Sequence, residues 1–213
     1  NLNKLFLGLV SIGIILLLLP TSLYANHFRY GTMSWEPISD NGTHVTVRLK
    51  MENGWTANHS DWNSLTAGDF KTNYVTIYWG DGSNSGSTID FKVLSRDNTS
   101  NDTLTQMGDY SSSTWTEGVT HVFADNGTYT VYWGSSARES VENSNGSAWR
   151  NETLITVGGS YEGNSSPVSA VPPVVQVQDN TQFSYQLVST DTDGDSMNYR
   201  WGTLAEFFSG SGT

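Results

Sequence analysis

No cysteine occurs in the 213 residues, so disulfides and thiolate chemistry are excluded, and rigidity must come from burial, metal or glycan. Proline is scarce at five residues, and only ten Lys and Arg stand against 21 Asp and Glu. The formal charge of −11 disfavours nucleic acid and anionic membrane surfaces and favours cations and solubility. Of the four histidines, His27, His44, His59 and His121, none is spaced as a zinc ligand, and no His-Glu-X-X-His or Gly-X-Ser-X-Gly motif occurs. His59, Ser60 and Asp61 are too close in sequence to converge as base, nucleophile and orienter, so no catalytic constellation is nominated. No window of a dozen residues beyond Ala25 keeps a helical stripe, which excludes a helix bundle.

The one long apolar run, Leu5 to Pro20 behind Lys4, has the layout of a secretory signal peptide over 1–25, with a small residue at Ala25. An uncut anchor is the alternative, and either places the remainder outside the cytoplasm. The missing initiating Met and the unfinished end at Phe207 to Thr213 are expected of a piece of a larger protein with further modules downstream.

What remains reads as strands. Val45, Val47, Leu49 and Met51 alternate with His44, Thr46, Arg48 and Lys50, and similar short runs occur at Phe28 to Trp35, Val75 to Trp79, Thr128 to Trp133 and Leu154 to Val157. Many short strands between polar turns predict an all-β fold, a β-sandwich over 26–160. Asp97 to Trp115, rich in Asn, Ser, Thr and Asp, reads as a long surface loop or weak hairpin. A Pro/Ser-rich linker over 161–173 leads to an incomplete second β repeat over 174–213, opening with a strand at Val174 to Val177.

Two motifs carry resemblances. Val75-Thr-Ile-Tyr-Trp79-Gly80-Asp81-Gly82-Ser83, followed by His121-Val-Phe123-Ala-Asp-Asn-Gly127-Thr-Tyr129-Thr-Val131, resembles the PKD (polycystic kidney disease) repeat and implies an immunoglobulin-like sandwich. It departs from that family in a longer insert between the halves and in extra sequence on both sides. By this resemblance Asp81 is a structural turn residue and His121 a packing residue. Asn164-Ser-Ser-Pro167 through Pro172-Pro173, then Phe183 and Asp191-Thr-Asp193-Gly-Asp195 up to Tyr199, resembles the start of a cadherin-like calcium-binding repeat. Together the two resemblances imply part of a large secreted or cell-surface adhesive protein.

Three carboxylates at alternate positions, Asp191, Asp193 and Asp195, repel one another unless a cation sits among them, and Gly194 permits the bend. Calcium is the expected metal, with Asp179 or Glu206 completing the shell. The other reading is a solvated acidic turn whose carboxylates bond backbone amides. Asn-X-Ser/Thr sequons stand at Asn41, Asn58, Asn98, Asn101, Asn126, Asn145, Asn151 and Asn164 as possible N-glycosylation sites. Trp35, Trp79, Trp133 and Trp201 end strand-like runs and are expected as core or cross-strand partners, whereas Trp55, Trp62, Trp115 and Trp149 lie in polar contexts suited to a ligand face.

The sequence thus predicts a non-enzymatic, extracellular structural or adhesion module stiffened by calcium, with a protein or glycan partner at a cell surface or matrix. The alternative is a carbohydrate-binding module whose Trp55 and Trp62 stack on sugar rings.

Overall fold

Strand side chains point alternately to opposite faces, and the alternation at Val45 to Met51 makes those residues the inner face of β2 (Val45–Thr56). The computed structural model describes residues 27–42, 44–136, 138, 139, 148–170, 175, 177–203 and 206; the expected signal segment 1–25 and the sequon at Asn145 lie outside them. β1 (Phe28–Asp40) runs antiparallel along the whole of β2, from Phe28 opposite Trp55 to Asp40 opposite Val45. On its other edge β2 changes neighbour: Val45 to Leu49 pair with β7 (Val119–Phe123), and Glu52 to Thr56 with β5 (Asp102–Ser111). β4 (Ile89–Asp97) and β3 (Phe70–Val75) continue the sheet beyond β5, while β6 (Thr114–Glu117) pairs with the far end of β5.

The second layer is β8 (Gly127–Ser135) paired with β9 (Trp149–Val157), with Tyr78 bridged antiparallel to Tyr132 beside them. Between the layers Trp55, Trp62, Phe91, Met107, Val131 and Ile155 are almost wholly removed from water. Among the described residues every element of more than three residues is a strand, so the fold is an all-β, antiparallel sandwich-like structure, as the alternation predicts.

Asp97 to Trp115, expected as a surface loop or weak hairpin, does hold a hairpin of β5 and β6, but its place on the surface is corrected. Asp102–Ser111 is β5, an interior strand between β2 and β4. Its inward positions are Thr103, Thr105 and Met107, and the indole Nε1 of Trp55 donates to Thr105 Oγ1 at 2.8 Å. A β-branched Thr suits the pleat and accepts the hydrogen bond that a buried Trp needs, so a core strand here looks polar by composition.

The sandwich closes at β9 and a single 3₁₀ turn, Gly159–Tyr161. Beyond it, β10 (Val168–Ser169) and β11 (Ser189–Thr190) form a two-stranded ladder. Val175 and Val177, the described residues of the expected strand at 174–177, lie in no strand. Trp201, expected as a core or cross-strand residue, lies in no strand and is 95% exposed.

Candidate binding surfaces

The acidic loop is built by hydrogen bonds to amides. Asp191 Oδ1 accepts from the backbone N–H groups of Asp193 and Asp195, at 2.9 and 3.1 Å, and Gly194 takes the positive φ of 83° that the bend requires. Asp193 Oδ2 accepts from both the N–H and the hydroxyl of Ser165, at 2.6 and 2.7 Å, which hold its carboxyl below the usual range. Ser165 Oγ also bonds the Thr192 hydroxyl at 2.7 Å. Next to it Ser166 N donates to Trp35 O at 2.9 Å and Trp35 N to Ser166 Oγ at 2.7 Å, tying the loop to the edge of β1. Asp191 Oδ1 and Asp193 Oδ2 thus take amide and hydroxyl donors, and among the described residues no three His, Cys, Asp or Glu side chains are grouped to hold a metal ion. Glu206 is engaged by Arg200 and Thr203. As placed, the residues do not fit a calcium shell.

Trp55 and Trp62 are corrected as a ligand face: they are 1% and 0% exposed. They stack at 4.8 Å, and Trp55 also meets Phe28, Phe91 and Trp133 edge-on or tilted, which makes it the hub of the core rather than a platform. Glycine and asparagine neighbours made this stretch look loop-like, but Gly54 is covered by the Tyr30 ring, which lies where a Cβ would stand. Burial, and then the Glu52 charge, pushes the Tyr30 hydroxyl up. Trp149 is likewise buried.

Beside this core, Asp61 accepts from Lys71 Nζ at 2.8 Å and the Tyr74 hydroxyl at 3.1 Å. Burial alone would raise the Asp61 carboxyl, but these hydrogen bonds hold it below its usual range. His59 stacks on His27 at 4.1 Å, so the His59, Ser60, Asp61 run is spent on structure.

The Gly80-Asp81-Gly82 turn is locked onto the second layer. Gly80, at φ 80°, abuts β8 so closely that a Cβ would meet Thr130 O at 2.6 Å. Asp81 Oδ1 accepts from the N–H and hydroxyl of Ser83, and its Oδ2 lies 2.7 Å from His121 Nε2. Against the opposing pull of burial, the Ser83 and His121 hydrogen bonds lower the Asp81 carboxyl to about 2. His121 is clamped flat on Trp79, with ring centroids at 4.4 Å. The turn role of Asp81 and the packing role of His121 are both visible here.

Seven sequons fall on described residues. Asn41, Asn58, Asn98 and Asn126 are exposed. Asn151 Nδ2, the atom a glycan would need, is turned inward to Met51 Sδ at 3.9 Å and lies under Gly31. Asn101, at φ 59°, spends its Oδ1 on the Asn58 amide, and Asn164 donates to Ser165 O.

The outer face of the large sheet holds what the residue-by-residue reading missed. Directly opposed residues form a row across it, Thr32, Glu52, Gln106, Lys92 and Phe70. Four residues further along β5, Tyr110 opposes Trp115 of β6, and Phe70 stacks on Tyr110 at 3.8 Å with Trp115 tilted at 5.5 Å. Trp115 lies over Gly108, where a Cβ would meet its ring at 2.6 Å. Of the four tryptophans expected on a ligand face, Trp115 alone is part-exposed. The period-two spacing of Gln106, Gly108 and Tyr110 was the available signal.

Among the described residues no helix is long and apolar enough to cross a membrane. The sequence model of the family described as Integrin beta-like protein A-E, N-terminal, matches residues 29–158. The chain is 27% identical over 197 residues to Integrin beta-like protein C of Dictyostelium discoideum, covering 89% of this chain and 9% of that protein. It is 29% identical over 175 residues to Integrin beta-like protein B of the same organism, covering 78% and 8%. It therefore spans less than a tenth of the length of the curated relatives it matches. No solved structure matches.

Proposed function

The chain belongs to the family of integrin beta-like protein A-E N-terminal domains, and from that premise we propose that it is a non-enzymatic, extracellular adhesion-type module acting at a cell surface or matrix. The observation that carries this reading is the coincidence of the family match, 29–158, with the sandwich from β1 to β9. The structural use of the paired acids and histidines agrees with it: Asp61 and Asp81 are both consumed by hydrogen bonds inside the fold. Beads coated with the folded chain should be retained by cells or matrix several-fold more than beads coated with heat-unfolded chain. Equal retention would withdraw the reading.

The finer assignments are proposals as well. The PKD-like reading is supported by the Gly80-Asp81-Gly82 turn and its contact with β8. The calcium reading of Asp191, Asp193 and Asp195 rests on sequence spacing alone, and binding would require Asp191 and Asp193 to exchange amide donors for the ion. A thermal melt in excess calcium and in chelator decides it: a higher Tm in calcium supports the site, and equal Tm values remove it.

A further inference from the structure

We propose that the outer face of the large sheet is a binding site for a neutral oligosaccharide. It supplies the two things a sugar needs. The apolar C–H face of a pyranose ring packs on an aromatic plane, and its hydroxyls pair with planar amide and carboxylate groups. Phe70 and Tyr110 lie face to face, and Trp115, tilted beside them over Gly108, offers the plane. All three are part-exposed and stand apart from the sandwich core, which closes without them.

The polar groups lie next along the same strands. A groove of about 260 Å³ begins at Gln106 and Glu117 and runs over Glu52, Lys50 and Ser34. Gln106 is two residues from Gly108, the position under Trp115, so plane and groove are about 7 Å apart on β5, roughly one sugar unit. Thr192 and Ser165 form part of the groove's wall, and their mutual hydrogen bond is held by Asp193. The acidic loop thereby acquires a use that needs no metal.

Charge selects the class of glycan. Glu36 pairs with both Lys50 and Arg48, at 3.1 and 3.3 Å, and Lys92 stands in the same row, so three cations balance Glu36, Glu52 and Glu117 and the site carries no net charge. An anionic sugar would gain no net attraction from a balanced site that already holds carboxylates, whereas a neutral one finds both donors and acceptors for its hydroxyls.

The inference rests on the adhesion reading for its biological setting only. Calorimetric titration of the full chain with cello-, laminari-, manno- and chitohexaose, and with a sulfated hexasaccharide, tests it. Saturable binding of at least one neutral hexaose is expected, weakened tenfold or more by Trp115→Ala and several-fold by Gln106→Ala, with wild-type affinity in Trp201→Ala. Each variant is used only if its melting curve matches the parent; Trp115→Phe, which keeps a ring, should retain most of the affinity and covers a failure of Trp115→Ala to fold. No binding of any neutral hexaose, preference for the sulfated one, or undiminished binding in both Trp115→Ala and Gln106→Ala would overturn it. No cell enters the titration, so that result leaves the adhesion reading standing.

Discussion

Residues 28–157 and residues 164–203 are both rich in alternating apolar and aromatic positions, yet one stretch buries them and the other does not. In the sandwich Trp35, Trp55, Trp62, Trp79, Trp133 and Trp149 are all at most 5% exposed, whereas Phe183, Tyr185, Leu187, Tyr199 and Trp201 all face water. The difference is in pairing. β2 finds β1 on one side and β5 and β7 on the other, while among the described residues β10 and β11 pair only with each other, over two residues. A two-stranded ladder of that length has no second layer to cover its side chains. Alternation is therefore a statement about which face a residue takes, and burial follows only when a second layer arrives.

The largest test of this contrast is a pair of truncations. Trp55→Ala should cost about 3–5 kcal/mol in urea denaturation, and Trp201→Ala less than about 0.5 kcal/mol. Comparable losses would mean that the two regions are equally packed. Next is Asp90→Ala. Asp90 is 5% exposed and accepts from the backbone amides of Asn73 and Tyr110, at 2.7 and 2.8 Å. Stranding those donors should cost about 1–3 kcal/mol, while Asp195→Ala, an exposed member of the acidic loop, should cost almost nothing.

A smaller effect separates the regions by pH. Asp81 falls from 3.8 to about 2 in the fold, so its contribution is fully present above 3.8 and is lost as pH falls toward 2. Asp81→Asn should flatten the acid limb of stability between those values. An unchanged limb would show that the Asp81, Ser83 and His121 lock contributes nothing. The smallest effect is expected for Asp193→Ala, which frees Ser165 and Thr192: protease cleavage between 164 and 195 should rise with the global urea midpoint unmoved.

Much of the sandwich was legible because its inner faces are apolar at period two, as at Val45 to Met51, and the turn at Asp81 was legible from its flanking glycines. β5 was not, because Thr103 and Thr105 are core residues with polar names. Trp55 and Trp62 misled for the opposite reason: Gly54 and Asn53 made a core strand look like a loop, although Gly54 only makes room for Tyr30 and Asn53 is fully buried. The outer-face row was invisible because Phe70, Lys92, Gln106 and Glu52 are brought together by register across four strands, which no single stretch of sequence displays.

Amide hydrogen exchange over the whole chain tests the central claim directly, namely that a self-covered sandwich carries the stability and the segment after it adds little. Amides of β2 and β5 should exchange only through global unfolding, and those of residues 177–203 outside the β11 ladder and the Asp191 turn near the rate of an open chain. Protection in 177–203 equal to that in β2, or rapid exchange throughout β5, would contradict it.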